Sequence, residues 1–203
     1  ITGNGQVLFV NPAGIYFGDG ASINVNRFLA SGLNISDTDF LNDNLTFAGA
    51  TGDLQVDGTL DMAGTDKAVL LGRKFINNGT IKIPDGSIAI GAGNKITITN
   101  FKGADLELPD VEMGTLLNDV KAGNVEADNN DAFIAASGDI YSMAISGANI
   151  KLKSTKGGIS DTDSGNDIQA DNFEAEAESD IGGPDSAGQS IQTDVSDAKA
   201  VSN

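Results

Sequence analysis

Residues 161–167 read Asp-Thr-Asp-Ser-Gly-Asn-Asp. Oxygen donors at alternate positions suit calcium, a hard cation that gathers carboxylate, carbonyl and hydroxyl oxygens. Asp161, Asp163 and Asp167 are therefore candidate ligands. The run departs from the usual calcium loop at its sixth position, which is Asn166 rather than Gly, and at its twelfth, which is Asn172 rather than Glu. A solvated corner between strands is the alternative reading of the same residues.

A second short motif, Asn11-Pro12-Ala13-Gly14, is suited to shaping backbone rather than to catalysis. Pro12 fixes φ near −65° and has no N–H to give a strand ladder, so it belongs in a corner. The Asn11 side chain can bond the backbone two residues on. Gly14 lets the next strand start at an angle. The motif reads first as a β-turn.

Other chemistry is limited by what the chain lacks. It has no His and no Cys, so imidazole acid–base catalysis, thiolate sites and disulfides are excluded. Arg27 and Arg73 are its only arginines. Carboxylate pairs such as Asp37 with Asp39 carry little information among 29 acidic residues. Net charge is −17, which opposes docking on nucleic acid or anionic lipid, both of which need clustered Lys and Arg. No cofactor is expected. Asn34, Asn44 and Asn78 each open an Asn-X-Ser/Thr triplet, and turn chemistry accounts for all three. No apolar run approaches the ~20 residues needed to span a bilayer as a helix.

The elements that position these residues are short strands. Val7 to Val10, Ile15 to Phe17 and Ile23 to Val25 alternate with tight turns of Asn, Pro, Gly and Asp. From Phe75 to Phe101 three triplets follow one another: Ile81-Lys82-Ile83, Ile88-Ala89-Ile90 and Ile96-Thr97-Ile98. A period of two puts the outer residues of each triplet on one face. Three such strands make a coil of roughly 22 residues, within the range of solenoid repeats. The same alternation places Leu54, Val56, Leu60 and Met62 inward, and later Ile140, Ile145, Ile150 and Leu152. Gly-Ile-Ser-Asp at 158–161 is echoed by Asp-Ile-Gly-Gly at 180–183.

About nine coils stacked at ~4.8 Å would give a rod roughly 40 Å long. Residues 36–44 read as an acidic loop leaving the rod. Residues 106–119 have nearly helical spacing and suggest a short helix or an irregular coil, with a seam near Pro109. The fold expected is all-β, a single-stranded, three-faced parallel β-helix. An antiparallel sandwich is the structural rival.

The stretch NGQVLFVNPAGIYFGDGASINV, followed by FLASGLNIS, resembles the secretion domain of two-partner-secreted exoproteins, the filamentous haemagglutinin-like adhesins of Gram-negative bacteria. The likeness continues through Phe40, Phe47, 69–72 and 77–81 to about Phe101. It implies a right-handed β-helix that crosses the outer membrane unfolded, through a dedicated β-barrel transporter, and folds at the cell surface. The family's Asn-Pro-Asn-Gly motif falls on Asn11, Pro12, Ala13 and Gly14. Asn11, Pro12 and Gly14 match and are the candidate partner-binding residues, whereas Ala13 replaces the usual Asn. A second family motif, Asn-Pro-Asn-Leu, and the cap before it are missing, as expected of an N-terminally truncated start.

The resemblance divides the chain into a secretion domain over residues 1–105 and continuing β-helical repeats over 106–203. It implies a secreted or surface-associated adhesin, not an enzyme. The expected partners are the outer-membrane transporter and a surface receptor or glycan, and open coil ends allow end-to-end self-association. The alternatives are a secretion domain and stalk that carries a toxin module or, from the β-helix alone, a carbohydrate-active enzyme.

Overall fold

A computed structural model describes residues 1–49, 52–99, 101, 107–112, 118–128, 130–161, 167–182 and 193–202. The chain winds as a parallel coil. The first turn holds β1 (Gln6–Val10), β2 (Ile15–Phe17) and β3 (Ala21–Ser22), and β4 (Arg27–Ser31) opens the second. The chain then leaves the rod for β5 (Asn34–Ile35), the helix α1 (Asp37–Leu41) and β6 (Thr46–Ala48). It rejoins at β7 (Leu54–Val56) and β8 (Thr59–Asp61), and the third turn is β9 (Lys67–Gly72), β10 (Phe75–Asn77) and β11 (Thr80–Lys82).

After β12 (Ser87–Ala92) a second excursion forms β13 (Lys95–Thr99) and β14 (Glu107–Glu112). The coil resumes with β15 (Val120–Glu126) and β16 (Ala132–Ala136). The long β17 (Ile140–Ser154) serves two faces and then begins the next turn. β18 (Ile159–Ser160), β19 (Ile168–Ala177) and β20 (Thr193–Ser202) complete the stack.

Parallel register proves the winding. On the first face β1, β4, β9, β12, β16, β17, β19 and β20 pair in that order. Val7, Phe28, Ala68, Ile88, Ala132, Ile150 and Phe173 form one inward column. Ile15, Leu54, Phe75, Val120, Ile140 and Ile159 form another on the second face. The third column runs Ala21, Leu60, Ile81, Val125, Ile145 and Ile168. These columns are the core of the rod. Every inward residue expected in 54–62 and 140–152 is buried. Ile159 and Ile181 bridge in parallel, so residues 180–182 of the echo lie one coil above their counterparts at 158–161, and Gly183 lies outside the described residues.

The structure corrects several expectations. Among the described residues the first face has eight rungs rather than nine, about 34 Å of stacked strand, because two excursions consume chain without adding coils. Ile96-Thr97-Ile98 is not a coil strand. It lies in β13, in an antiparallel sheet of order β14-β13-β6-β5. The sandwich-like pairing expected of the rival fold thus exists, but only as a patch on the rod. Residues 36–44 do leave the coil, yet they contain α1, whose N-terminus is capped by Ser36 accepting from Asp39 N. Residues 107–112 are strand rather than helix, and 113–117 lie outside the described residues. Ile23 to Val25 is not a strand: β3 ends at Ser22, and Asn24 makes only an isolated bridge to Thr2.

The second sheet explains a burial pattern that a bare solenoid would lack. β9 is buried at every position, as is β12 after Ser87 and β4 after Arg27. Their inward residues meet the core. Their outward residues, Leu29, Val69, Leu71 and Ala89, meet Leu33, Leu45, Phe47, Ile96, Ile98 and Phe101 from the excursions. A strand covered on both sides needs a continuous apolar run rather than alternation. Farther along the same face the outward residues Lys151, Lys153, Glu174 and Glu176 are charged and pair as Lys151–Glu174 (3.2 Å) and Lys153–Glu176 (3.2 Å).

Candidate functional site

The Asn11–Gly14 corner joins the first face to the second. Asn11 uses its side chain locally: its Oδ1 accepts from Ala13 N at 3.2 Å, and its Nδ2 donates to Gly14 O at 2.8 Å. Gly14 N donates to Asn11 O at 2.9 Å and closes the β-turn. Gly14 has φ +116°, a conformation that costs a side-chain-bearing residue strain. Asn11, Pro12 and Ala13 are exposed.

The turn is tied to the coils above it. Asn11 N donates to Ser31 O and Ile15 N to Asp53 O, both at 2.9 Å. The fit is close: a Cβ on Gly52 would lie 2.6 Å from Gly14 N and 2.8 Å from Pro12 O. Asp53 continues the linkage. Its carboxylate receives Arg73 Nη2 at 2.8 Å from Oδ1 and 2.9 Å from Oδ2, and Lys74 N donates to Oδ1 at 3.2 Å. Gly52, Asp53 and Arg73 thus support the motif from the next two coils. Sequence reasoning did not link them to it, and the Gly52-Asp53 turn dipeptide was the available signal.

Both excursions leave and return at this same edge of the rod. The first departs after Ser31 and returns at Gly52, where a Cβ on Gly32 would meet Gly52 O at 2.5 Å. The second departs after Ala92, and its base is closed by Asn118 Nδ2 donating to Asn94 Oδ1 at 3.0 Å.

The calcium candidates fall elsewhere. Asp161 and Asp167 are both buried, and Asp161 Oδ1 accepts from Met143 N at 3.3 Å. Asp163 lies outside the described residues, and among those described no cluster of three or more carboxylates is arranged to hold a metal ion. Among the described residues no helix is long and apolar enough to cross a membrane.

The fold has its counterpart in known proteins. A family model described as the TPS secretion domain matches residues 1–183. The chain belongs to the TPS secretion domain family. The crystal structure of the HMW1 secretion domain from Haemophilus influenzae is similar to it at TM-score 0.61 and 23% identity. That similarity covers 95% of this chain and 63% of the other, so the chain spans less than two thirds of its solved relative and the likeness is one of fold. No curated protein matches the sequence. The TPS secretion domain is the export-directing part of a two-partner-secreted exoprotein, and the expected β-helix is the fold observed.

Proposed function

We propose that this TPS domain leads its exoprotein through an outer-membrane β-barrel transporter and that Asn11, Pro12 and Gly14 form the corner the export machinery reads. The observation that carries the reading is the family match over residues 1–183. The exposure of Asn11 and Pro12 supports the residue assignment, as does the turn they build at the first coil. A corner closed by contacts within four residues can form as soon as it emerges, which suits a chain that folds as it exits. On this reading residues 1–105 carry the export information and 106–203 extend the rod.

The finer role we propose is adhesion at the cell surface, with the rod presenting side-chain rows to a receptor, and no catalysis. The lack of His and Cys and the presence of only two Arg support a non-enzymatic role.

The test is export of the full-length exoprotein coexpressed with its transporter, followed by immunoblot of the culture medium. Deleting 1–183 should abolish release, and Asn11→Ala with Gly14→Ala should reduce it while the accumulated protein can still be refolded. Undiminished release of the deletion variant would overturn the export reading. Undiminished release of the double variant would remove only the role of the corner.

A further inference from the structure

The outward side of the second face carries a row that neither the core nor the export corner uses. Rung by rung it reads Tyr16, Gln55, Ile76, Lys121 and Tyr141. Asp57 and Asn78, at the edge of the face, join it into one hydrogen-bonded line. Tyr16 stands at the end of this line, one rung from Gln55. Gln55 Nε2 donates to that carboxylate at 3.0 and 2.9 Å, and Asn78 Nδ2 donates to Asp57 Oδ1 at 2.8 Å. Lys121 Nζ donates to Asn78 Oδ1 at 2.7 Å. Beyond Lys121 the surface drops into a recess of about 330 Å³ bordered by Asn78, Lys121, Gly123, Asn124, Ser142 and Met143. Both Gly123 (φ +59°) and Ser142 (φ +49°) turn the backbone aside there, and Gly123 lets it pass close to Asn77.

Three properties define what fits. Asp57 and Lys121 offset each other, so the row is neutral on a chain of net charge −17 and favours neither a cationic nor an anionic polymer. The side chains retain unused capacity: further N–H groups on Lys121, Asn78 and Gln55, the Gln55 carbonyl, and lone pairs on Tyr16. The network already holds them in place, which lowers the ordering cost of binding. Tyr16 is 63% exposed, and its ring offers a flat apolar platform at one end of the line.

We propose that Tyr16, Gln55, Asp57, Asn78 and Lys121, with the recess at Gly123, bind a neutral, hydroxyl-rich oligosaccharide laid along the rod. One sugar ring stacks on Tyr16, hydroxyls bond the amides and Lys121, and a further ring enters the recess. The rungs repeat at ~4.8 Å, so a chain of regularly spaced hydroxyls meets a matching series of groups. The inference stands apart from the export reading, because it concerns the folded rod alone.

The test is titration of the folded domain with maltotetraose and, separately, chitotetraose, followed by amide chemical shifts. Saturable shifts are expected at Tyr16, Gln55, Asn78, Lys121 and Gly123. Tyr16→Ala and Gln55→Ala should each weaken binding about tenfold, with unchanged circular dichroism, while Lys151→Ala on another face leaves it unaltered. No saturable shift from either sugar at about 10 mM would overturn the proposal. So would binding that Tyr16→Ala leaves intact, or binding of tetragalacturonate alone.

Discussion

Thr46 and Thr97, 51 residues apart in sequence, face each other with their hydroxyl oxygens 3.1 Å apart. They are direct antiparallel partners in β6 and β13, so one excursion grips the other across the outside of the rod. Coils two and four are thereby joined by a route that bypasses the coil between them.

Replacing both threonines with cysteine should give a disulfide under mild oxidation, since directly opposed antiparallel residues lie within bridging range. The native chain has no Cys, so the product is unambiguous. Closing that loop should stabilise the domain by about 4 kcal/mol in the chain-entropy account. The check is a gel shift reversed by reductant, with the melting temperature of both forms. Failure to form the bond would contradict the pairing of the two excursions.

Phe47 is fully buried between the second sheet and the outward side of the first face. Phe47→Ala should cost about 3–5 kcal/mol, as deletion of a buried aromatic does elsewhere. Denaturant unfolding measures it. A loss below about 1 kcal/mol would mean that the sheet is only loosely applied to the rod.

Gly52→Ala should be costly out of proportion to its single methyl group. The added carbon would press on Gly14 N and Pro12 O, both backbone atoms with little freedom to yield. A loss of about 2–4 kcal/mol is expected, with amide shifts concentrated at 11–15. Gly20→Ala, at a glycine of positive φ (+75°) with open space around its Cβ, is the comparison and should cost less.

The Lys151–Glu174 pair makes stability depend on pH. Lys151, and then Lys199, hold the Glu174 carboxyl below the usual glutamate range, against a smaller desolvation effect that raises it. A depressed folded pKa means the stabilisation is fully present above the ordinary glutamate value and is lost as pH falls through the folded one. Glu174→Gln should therefore be the less stable protein at pH 7, and the gap to wild type should close in acid. Melting curves of both proteins from pH 7 to about pH 3 test this. A gap that widens on acidification would refute the assignment. Both side chains are partly exposed, so the effect is small.

Local chemistry made part of this structure legible in advance. Leu54, Val56, Leu60 and Met62 alternate with polar residues, and that alternation alone sends them inward. Asn11, Pro12 and Gly14 announce a corner because each acts on its own backbone. The second sheet was hidden by the same rules. Ile96-Thr97-Ile98 alternates as a coil strand does, and only its distant partner Phe47 decides which sheet it enters. One clue was available: Ala68-Val69-Leu70-Leu71 is apolar without interruption, whereas Ile150-Lys151-Leu152-Lys153 alternates, and the first pattern marks a strand covered on both sides. The row from Tyr16 to Lys121 could not be seen at all. Partners one coil apart are roughly 18–25 residues apart where the coil is unbroken, as in Ala132 with Ile150, but roughly 39–45 across an excursion, as in Ile15 with Leu54.

Because each excursion starts and finishes at one edge of the rod, with Gly32 against Gly52 and Asn94 against Asn118, the winding beneath continues as though nothing had been added. That edge is a docking bay for new sequence. What hangs there can change in length while the stack keeps its registry, provided that it still covers Leu29, Val69 and Leu71 beneath it.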